Sequence, residues 1–380
     1  MFLQIHTLTS YPASLLNRDD SGLAKRMPLG NAIRLRVSSQ CLKRHWREDL
    51  TQRLLSDLPD GQRTRFFFTR TVLPQVVASG VNETLATSLI EPLAKAVVDG
   101  GVKEGGGLSQ PVLFGLREAD YFVRMLVQMS QESDPAKSLA ERLKSKDEKD
   151  NIKAMSKSAA GLTAALFGRM VTSDLLARVD APVHVAHAFS VHAANTEMDY
   201  FTVVDDLNRD DETGAAHANQ TELGSGVYYG YVVVDIPLLV SNLTGCDLKD
   251  WSRQNNTLPK RVLEALITSI VQQSPGAKKE STAPYSWSDM LLLEAGTTQP
   301  RSLTNAFLEA IKSKGEFDIR QKALAQLASY VGKLEEMYGK DNKTHRFLST
   351  SLDQPVILPQ KMVVFDTIKS ALDDIFGVKE

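Results

Sequence analysis

A chain of 380 residues, 42% hydrophobic and 24% charged, holds enough apolar material for one large core or two smaller ones and is too apolar to stay disordered. Its two cysteines, Cys41 and Cys246, lie far apart and without metal-type spacing, which excludes a disulfide scaffold and fits a reducing compartment. A formal net charge of −2 argues against a general polyanion binder. Yet Lys25, Arg26, Arg34, Arg36, Lys43, Arg44 and Arg47 fall in one stretch without an acid, and with those seven removed the rest carries −9.

The alternation of Gln4 to Thr9 predicts an opening strand that ends at Tyr11-Pro12. A polar loop, Leu16 to Gly22, follows. Ile33, Leu35 and Val37 then alternate with Arg34, Arg36 and Ser38, which predicts a half-buried strand with its arginines on the open face. Leu42, Trp46, Leu50 and Leu54 are spaced by four, the mark of an amphipathic helix, with Ser38 or Ser39 as its N-cap.

From Pro59 to Arg178 the pattern is mainly helical. Helices are expected at Glu83 to Val98 with a break at Pro92, at Glu118 to Ser130 and at Ala136 to Leu143. A glycine-rich loop, Gly100 to Gly107, divides them. Between Lys144 and Lys157 stand five lysines (Lys144, Lys146, Lys149, Lys153, Lys157) against Asp147, Glu148 and Asp150.

Strands resume at Val183 to Val191, Tyr200 to Val204 and Val227 to Val234. The polar stretch Asp205 to Gly226 between the last two predicts a long hairpin whose tip leaves the core. The C-terminal third predicts helices at Lys260 to Gln273, Leu303 to Ser313, Arg320 to Tyr338 and Met362 to Phe376, with a strand at Ser288 to Glu294. No run of eighteen apolar residues occurs and the first residues lack an export signal, so no membrane association is expected and a cytoplasmic protein is.

The run Arg34-Leu35-Arg36-Val37-Ser38-Ser39-Gln40, continued by Leu42-Lys43-Arg44 and Arg47, carries the strongest chemistry. A strand delivers guanidiniums, and the helix that follows offers backbone N–H groups and hydroxyls in its first turn, a combination suited to phosphate. Lys43 and Arg47, four apart, extend the charge along one helical face.

Leu16-Asn17-Arg18-Asp19-Asp20 together with Arg36-Val37-Ser38-Ser39-Gln40-x-Leu42-Lys43-Arg44 resembles the CasC family, the multicopy backbone subunits of Type I-E CRISPR Cascade. Further segments follow in family order. They are Ala165-Leu166-Phe167-Gly168-Arg169-Met170, Val185-Ala186-His187-Ala188-Phe189, Asp199-Tyr200-Phe201-Thr202-x-Val204-Asp205-Asp206-Leu207, Ser225-Gly226-Val227-Tyr228-Tyr229 and Pro275-Gly276-Ala277-Lys278. The likeness fades after Phe307.

The resemblance implies an α+β protein built like a hand. Its RRM-like (ferredoxin-like) palm would span 1–58 and 179–380, its helical finger insertion 59–178 and its β-hairpin thumb 199–228. It further implies that Lys25, Arg34, Arg36, Ser38, Gln40, Lys43, Arg44 and Arg47 grip the backbone of a guide crRNA, and that Met170 is wedged into the base stack. Lys144, Lys146, Lys149 and Lys153 are expected to draw in target DNA. The partners so implied are crRNA, target DNA, further copies of the chain in a helical filament and other Cascade subunits. The aromatic RNA-reading strand of an ordinary RRM is missing, with Tyr228-Tyr229-Gly230-Tyr231 only a loose echo.

No catalytic residue, metal or cofactor is expected. His184 and His192 share a strand face that His187 does not, so the three cannot converge on a metal. Asp205, Asp206, Asp210 and Asp211 lack calcium-loop spacing, and Gly100 to Gly107 lacks the Gly-Lys-Ser/Thr ending of an NTPase loop. The rival reading is a metal-independent endoribonuclease that cuts CRISPR precursor RNA, with His45 as its base. A second rival is a purely structural filament protein whose basic run is a contact between copies.

Overall fold

A computed structural model describes residues 1–170, 175–203, 217–312 and 318–377, with the backbone alone at 156–159, 203, 217 and 218. The strands in chain order are β1 (Phe2–Ser14), β2 (Arg26–Leu29), β3 (Ala32–Val37), β4 (Gly61–Thr64), β5 (Val112–Gly115), β6 (Val183–Val185) and β7 (Ala188–Ser190). They continue with β8 (Thr196–Val203), β9 (His217–Asp235), β10 (Ser288–Gly296) and β11 (Thr344–Thr350). The chain divides into two compact units, one of Met1–Leu50, His184–Val234 and Lys260–Glu380, the other of Thr51–Val183 and Asp235–Pro259. The segment Asp235–Pro259, left with the discontinuous unit by sequence alone, groups instead with the helical insertion.

The first unit is built on a sheet ordered β11-β10-β1-β9-β7-β3-β2, with β6 and β8 also paired to β9. β1 runs antiparallel to β10 from Phe2↔Gly296 to Leu8↔Met290, after which the register shifts. Seven consecutive β1 residues, Leu3 to Thr9, are buried, as befits a strand covered on both faces. Its strand geometry persists to Ser14, past exposed Pro12 and beyond the β10 pairing. Leu8, Phe189, Tyr229, Leu292, Phe307, Leu324, Leu327 and Leu348 belong to the core of this unit.

One buried polar network ties these strands together. The Glu294 carboxylate on β10 is wholly buried and accepts from both Arg301 guanidinium nitrogens, at 2.6 and 3.0 Å, and from Arg346 Nε at 2.7 Å. His6 Nε2 on β1 lies 3.2 Å from the same carboxylate, and His6 Nδ1 faces the Tyr229 hydroxyl at 2.8 Å. A carboxylate only accepts, so Nε2 carries the proton and Nδ1 receives the Tyr229 O–H. Burial by itself would raise the Glu294 pKa, but hydrogen bonds from His6 and Arg301, and the Arg301 charge, hold it well below the usual carboxylate range.

The second unit is mainly helical around a two-stranded β4–β5 sheet. Its core includes Phe67, Phe68, Phe114 and Phe122, with the Phe67 and Phe114 rings stacked at 3.9 Å. The helix Glu83–Val97 passes through Pro92 unbroken, contrary to the expected break. Leu89, Ile90, Leu93 and Ala94 bury the face around it, and that packing outweighs the missing N–H.

Other expectations need correction. The strand foreseen from Val183 to Val191 is two short ones separated at Ala186 and His187. Thr196–Val203 pairs with His217–Gly224, so much of the polar stretch assigned to a loop is a strand of the ladder. Residues 204–216, with Asp205, Asp206, Asp210 and Asp211, lie outside the described residues. Where a helix from Leu303 to Ser313 is expected, the described residues 303–312 hold a 3-10 turn, Thr304–Phe307, that buries Phe307. Among the described residues no helix is long and apolar enough to cross a membrane.

The Glu294 carboxylate is depressed in the folded state, so its stabilisation is present above the ordinary carboxylate pKa and is lost as pH falls towards the folded value. Glu294→Gln should destabilise the fold at pH 7 by about 3–5 kcal/mol, because two arginines lose their buried partner. It should also flatten the loss of thermal stability on acidification. Thermal unfolding from pH 3 to 7 checks both; an unaltered acid limb would contradict the assignment.

Candidate nucleic-acid interface

The basic stretch folds as a hairpin followed by a helix. β2 and β3 pair from Arg26↔Leu35 to Leu29↔Ala32 around Gly30. Gly30 has φ +59, and a Cβ there would stand 1.7 Å from the Leu308 carbonyl oxygen, so both the turn and the close approach require glycine. The helix α1 (Ser39–Asp49) buries Leu42 and Trp46. It widens into a π-helix at Leu50–Leu54, after which Leu55 is buried and Leu54, expected from the four-residue spacing, is only half-buried.

Arg34 does not lie on an open face. Its side chain is fully buried, donating to the Ser190 carbonyl at 3.1 Å and the Phe307 carbonyl at 2.8 Å, while Ile33 is exposed. The guanidinium faces inward here and serves both carbonyls as donor, while its Nε finds no partner. Burial lowers the Arg34 pKa.

Ser38 is likewise structural. It is buried, caps α1 through Oγ with the Cys41 N–H at 3.3 Å, and donates its own N–H to Asn17 Oδ1 at 3.0 Å. The Ser39 N–H goes to His187 Nδ1 at 3.1 Å and the Leu42 N–H to the Ser38 carbonyl. These first-turn groups are therefore engaged, and the surface offers charge and side chains where sequence alone suggests open N–H groups.

The remaining basic residues gather around α1. Lys25 lies beside β3, its carbonyl accepting the Arg36 N–H at 2.8 Å. Half-buried Arg36 donates to the Arg26 carbonyl at 3.2 Å and faces His187 Nδ1 at 3.5 Å. Gln40 and Arg44 are exposed; Lys43 and Arg47 are half-buried. Arg44 Nε holds Glu48 at 2.8 Å. Arg26 is tied down by Glu222 of β9, which also accepts the Ala24 N–H at 2.7 Å.

The three histidines of 184–192 do different things. His187 accepts from Ser39 on Nδ1, and burial together with the charges of Arg36 and Lys25 keeps its pKa low. His192 Nε2 accepts the Val227 N–H at 3.3 Å, against Gly226, where a Cβ would meet that ring at 2.1 Å. His184 is exposed. Among the described residues no three His, Cys, Asp or Glu side chains are arranged to hold a metal ion. His45 Nδ1 faces the Cys41 carbonyl at 2.8 Å and, since a carbonyl only accepts, carries the proton; burial lowers its pKa.

Sequence reasoning missed one contributor. The loop after Pro275 is anchored by the Ala277 N–H on the Leu15 carbonyl at 2.9 Å. It brings Lys279 within electrostatic reach of Cys41, Glu48 and Asp49. Lys278 Nζ donates to Thr221 Oγ1 at 2.6 Å and sits 5.4 Å from the Phe201 ring centroid, within the β8–β9 ladder. The signal in the sequence was the pair Lys278-Lys279 after Pro275-Gly276, read only as part of a resemblance.

Met170 and the lysine cluster belong to the second unit. Met170 is 84% exposed rather than a core methionine. The preceding Arg169 is buried against Glu118 at 2.7 Å and exchanges backbone hydrogen bonds with Val179, which fixes the chain just before it. Lys146, Lys149 and Lys153 follow one face of the helix Lys146–Ala159, and Lys144 is exposed just before it. Of the nearby acids, Glu148 turns inward to Tyr121 and Arg142 Nε, the latter at 2.9 Å. The side chain of Lys157 lies outside the described residues.

A family model described as CT1975-like protein matches residues 3–373. No curated protein matches the chain. A chain of a solved "CRISPR RNA-guided surveillance complex, pre-nicking" is similar with a TM-score of 0.77 and 25% identity, covering 99% of this chain and 100% of that one. A chain of a "CRISPR RNA-guided surveillance complex" has a TM-score of 0.61 and 21% identity over 99% and 100%, a likeness of fold.

Arg34→Met should lower stability by about 2 kcal/mol or more, since two buried carbonyls lose a charge-assisted donor. Whatever affinity the wild type has for single-stranded RNA, the folded fraction of the variant should keep it. Thermal unfolding beside a binding titration checks this; lost affinity at unchanged stability would contradict it.

Proposed function

The chain belongs to the CT1975-like protein family, and from that membership we propose that it is a crRNA-binding backbone subunit of a CRISPR RNA-guided surveillance complex. The observation that carries the reading is the basic surface around α1, on a chain similar over nearly its whole length to one found in such a complex. Lys25, Arg36, Gln40, Lys43, Arg44 and Arg47, with Lys279, contact the RNA backbone, and Arg34 and Ser38 hold the elements that present them. Contacts to phosphate position a strand without reading its bases, which suits a protein that accepts any guide.

The finer reading is a Type I-E Cascade subunit with an RRM-like palm. The order β10-β1-β9-β7, with α1 between β1 and β7 and the helix Thr257–Gln272 between β9 and β10, supports it, being the β-α-β-β-α-β connectivity of a ferredoxin-like unit. In this reading the β8–β9 ladder is the thumb and the insertion is the finger. Copies associate head to tail along one RNA, a heterologous contact that makes a helical filament. Exposed Met170 wedges into the base stack of the bound RNA. Lys144, Lys146, Lys149 and Lys153 attract target duplex DNA through counterion release. The protein acts stoichiometrically, in the cytoplasm, without cofactor or catalysis.

Lys43→Glu with Arg44→Glu should abolish binding of single-stranded RNA while the fold persists, because both residues lie on the solvent side of α1. Wild-type RNA should be recovered at full length with or without divalent metal. Undiminished affinity in the double variant would defeat the interface, and cleavage lost in His45→Ala would favour the endoribonuclease. In the assembled complex, alanine at the four finger lysines should keep the RNA content and flatten the salt dependence of DNA association. An unchanged salt slope would remove their role.

A further inference from the structure

Two of the most exposed large side chains in the first unit stand two residues apart, on the loop that also carries Lys278 and Lys279. Tyr285 is 70% exposed and Trp287 72%. Neither ring stacks on another ring of the described residues. Tyr and Trp side chains ordinarily supply large buried areas to cores and interfaces, so a pair left in water forfeits that gain unless a partner covers it.

The segment that carries them is held firmly. Ser286, between the two rings, donates its N–H to Ser274 Oγ at 2.9 Å, and that hydroxyl donates to the Ser286 carbonyl at 3.0 Å. Just upstream Ala283 has φ +42, the one non-glycine positive φ among the described residues. Its N–H is tied to the Lys279 carbonyl at 2.9 Å and its carbonyl accepts the Tyr285 N–H at 2.7 Å. A left-handed alanine is strained and persists only where surrounding bonds dictate it, so the turn fixes where the aromatic pair emerges.

The same loop holds Lys278 and Lys279, and Lys279 faces α1 near Cys41, His45 and Glu48. Flat apolar rings next to a cluster of cations complement a ligand that is anionic along its backbone and offers π faces on its bases. We propose that Tyr285 and Trp287 form a stacking platform for unpaired bases of the RNA that the surface around α1 holds, an assignment that rests on the RNA-binding reading above. Stacking is tolerant of sequence because every base has a π face, so such a platform steadies a guide of any sequence while the lysines and arginines hold its phosphates.

The test uses the full chain and two labelled single strands of equal length, one RNA of mixed sequence and one with abasic sites throughout, followed by fluorescence anisotropy. Tyr285→Ala and Trp287→Ala should each weaken binding of the base-bearing RNA by roughly 5-fold to 150-fold, the span expected for loss of one stacked base. Affinity for the abasic strand and the salt slope should not change, and Trp287→Phe should keep most of the wild-type affinity. As a second readout on the wild-type chain, base-bearing RNA should quench tryptophan fluorescence and abasic RNA should not.

Equal loss on both strands, or no loss on either, would overturn the platform. Loss of self-association at unchanged RNA affinity would also overturn it, assigning the rings to contact with a second copy. Absence of RNA binding by wild type would instead defeat the function on which the platform rests. The Lys43→Glu, Arg44→Glu variant, expected to lose both strands, separates the two failures.

Discussion

The placement of the basic surface depends on a guanidinium that never meets solvent. Arg34 carries its charge into the first unit without a carboxylate beside it and spends it on two backbone carbonyls, of Ser190 in β7 and Phe307 in the 3-10 turn. Burying a charge is tolerable only when hydrogen bonds replace its water, so β3 can take one orientation here. With Arg34 turned inward and Val37 buried after it, Arg36 meets His187 and Ser38 arrives where its Oγ caps α1. The cationic side chains of α1 are thus positioned with the help of a residue that is itself fully buried.

Around that anchor the electrostatics are sorted by burial. Glu222 neutralises Arg26 and Glu48 engages Arg44, while Lys279 enters from the loop after Pro275 to restore positive charge beside α1. His45 and His187 are both held to lower pKa values, first by burial. Neutral imidazoles among fixed cations give a surface whose charge changes little around neutral pH. That is the character of a holding site, and it accords with the proposed stoichiometric role.

The sequence made α1 legible because its apolar residues recur at helical spacing and a serine stands at the start, two local signals that agree. The same reading failed at Arg34, since alternation marks which faces differ and not which carbonyls across the sheet lack a donor. It failed at Pro92 and from Leu303 to Ser313 because propensity yields to tertiary packing. Glu222 and Lys279 join the neighbourhood of α1 through interactions more than 170 residues apart, which no local window contains, and Tyr285 and Trp287 follow Lys279 on the same loop. The family resemblance reached beyond those windows through motif order, and the CT1975-like match agrees with it in kind, while the finer Type I-E assignment remains a proposal.

The measurement that bears most directly on the account is sequencing of the nucleic acid that co-purifies when the chain is expressed with the other subunits of its complex. The account predicts a uniform set of short RNAs, each a spacer flanked by repeat-derived ends, in fixed ratio to the protein. A random sample of cellular RNA, or protein complexes free of nucleic acid, would contradict it.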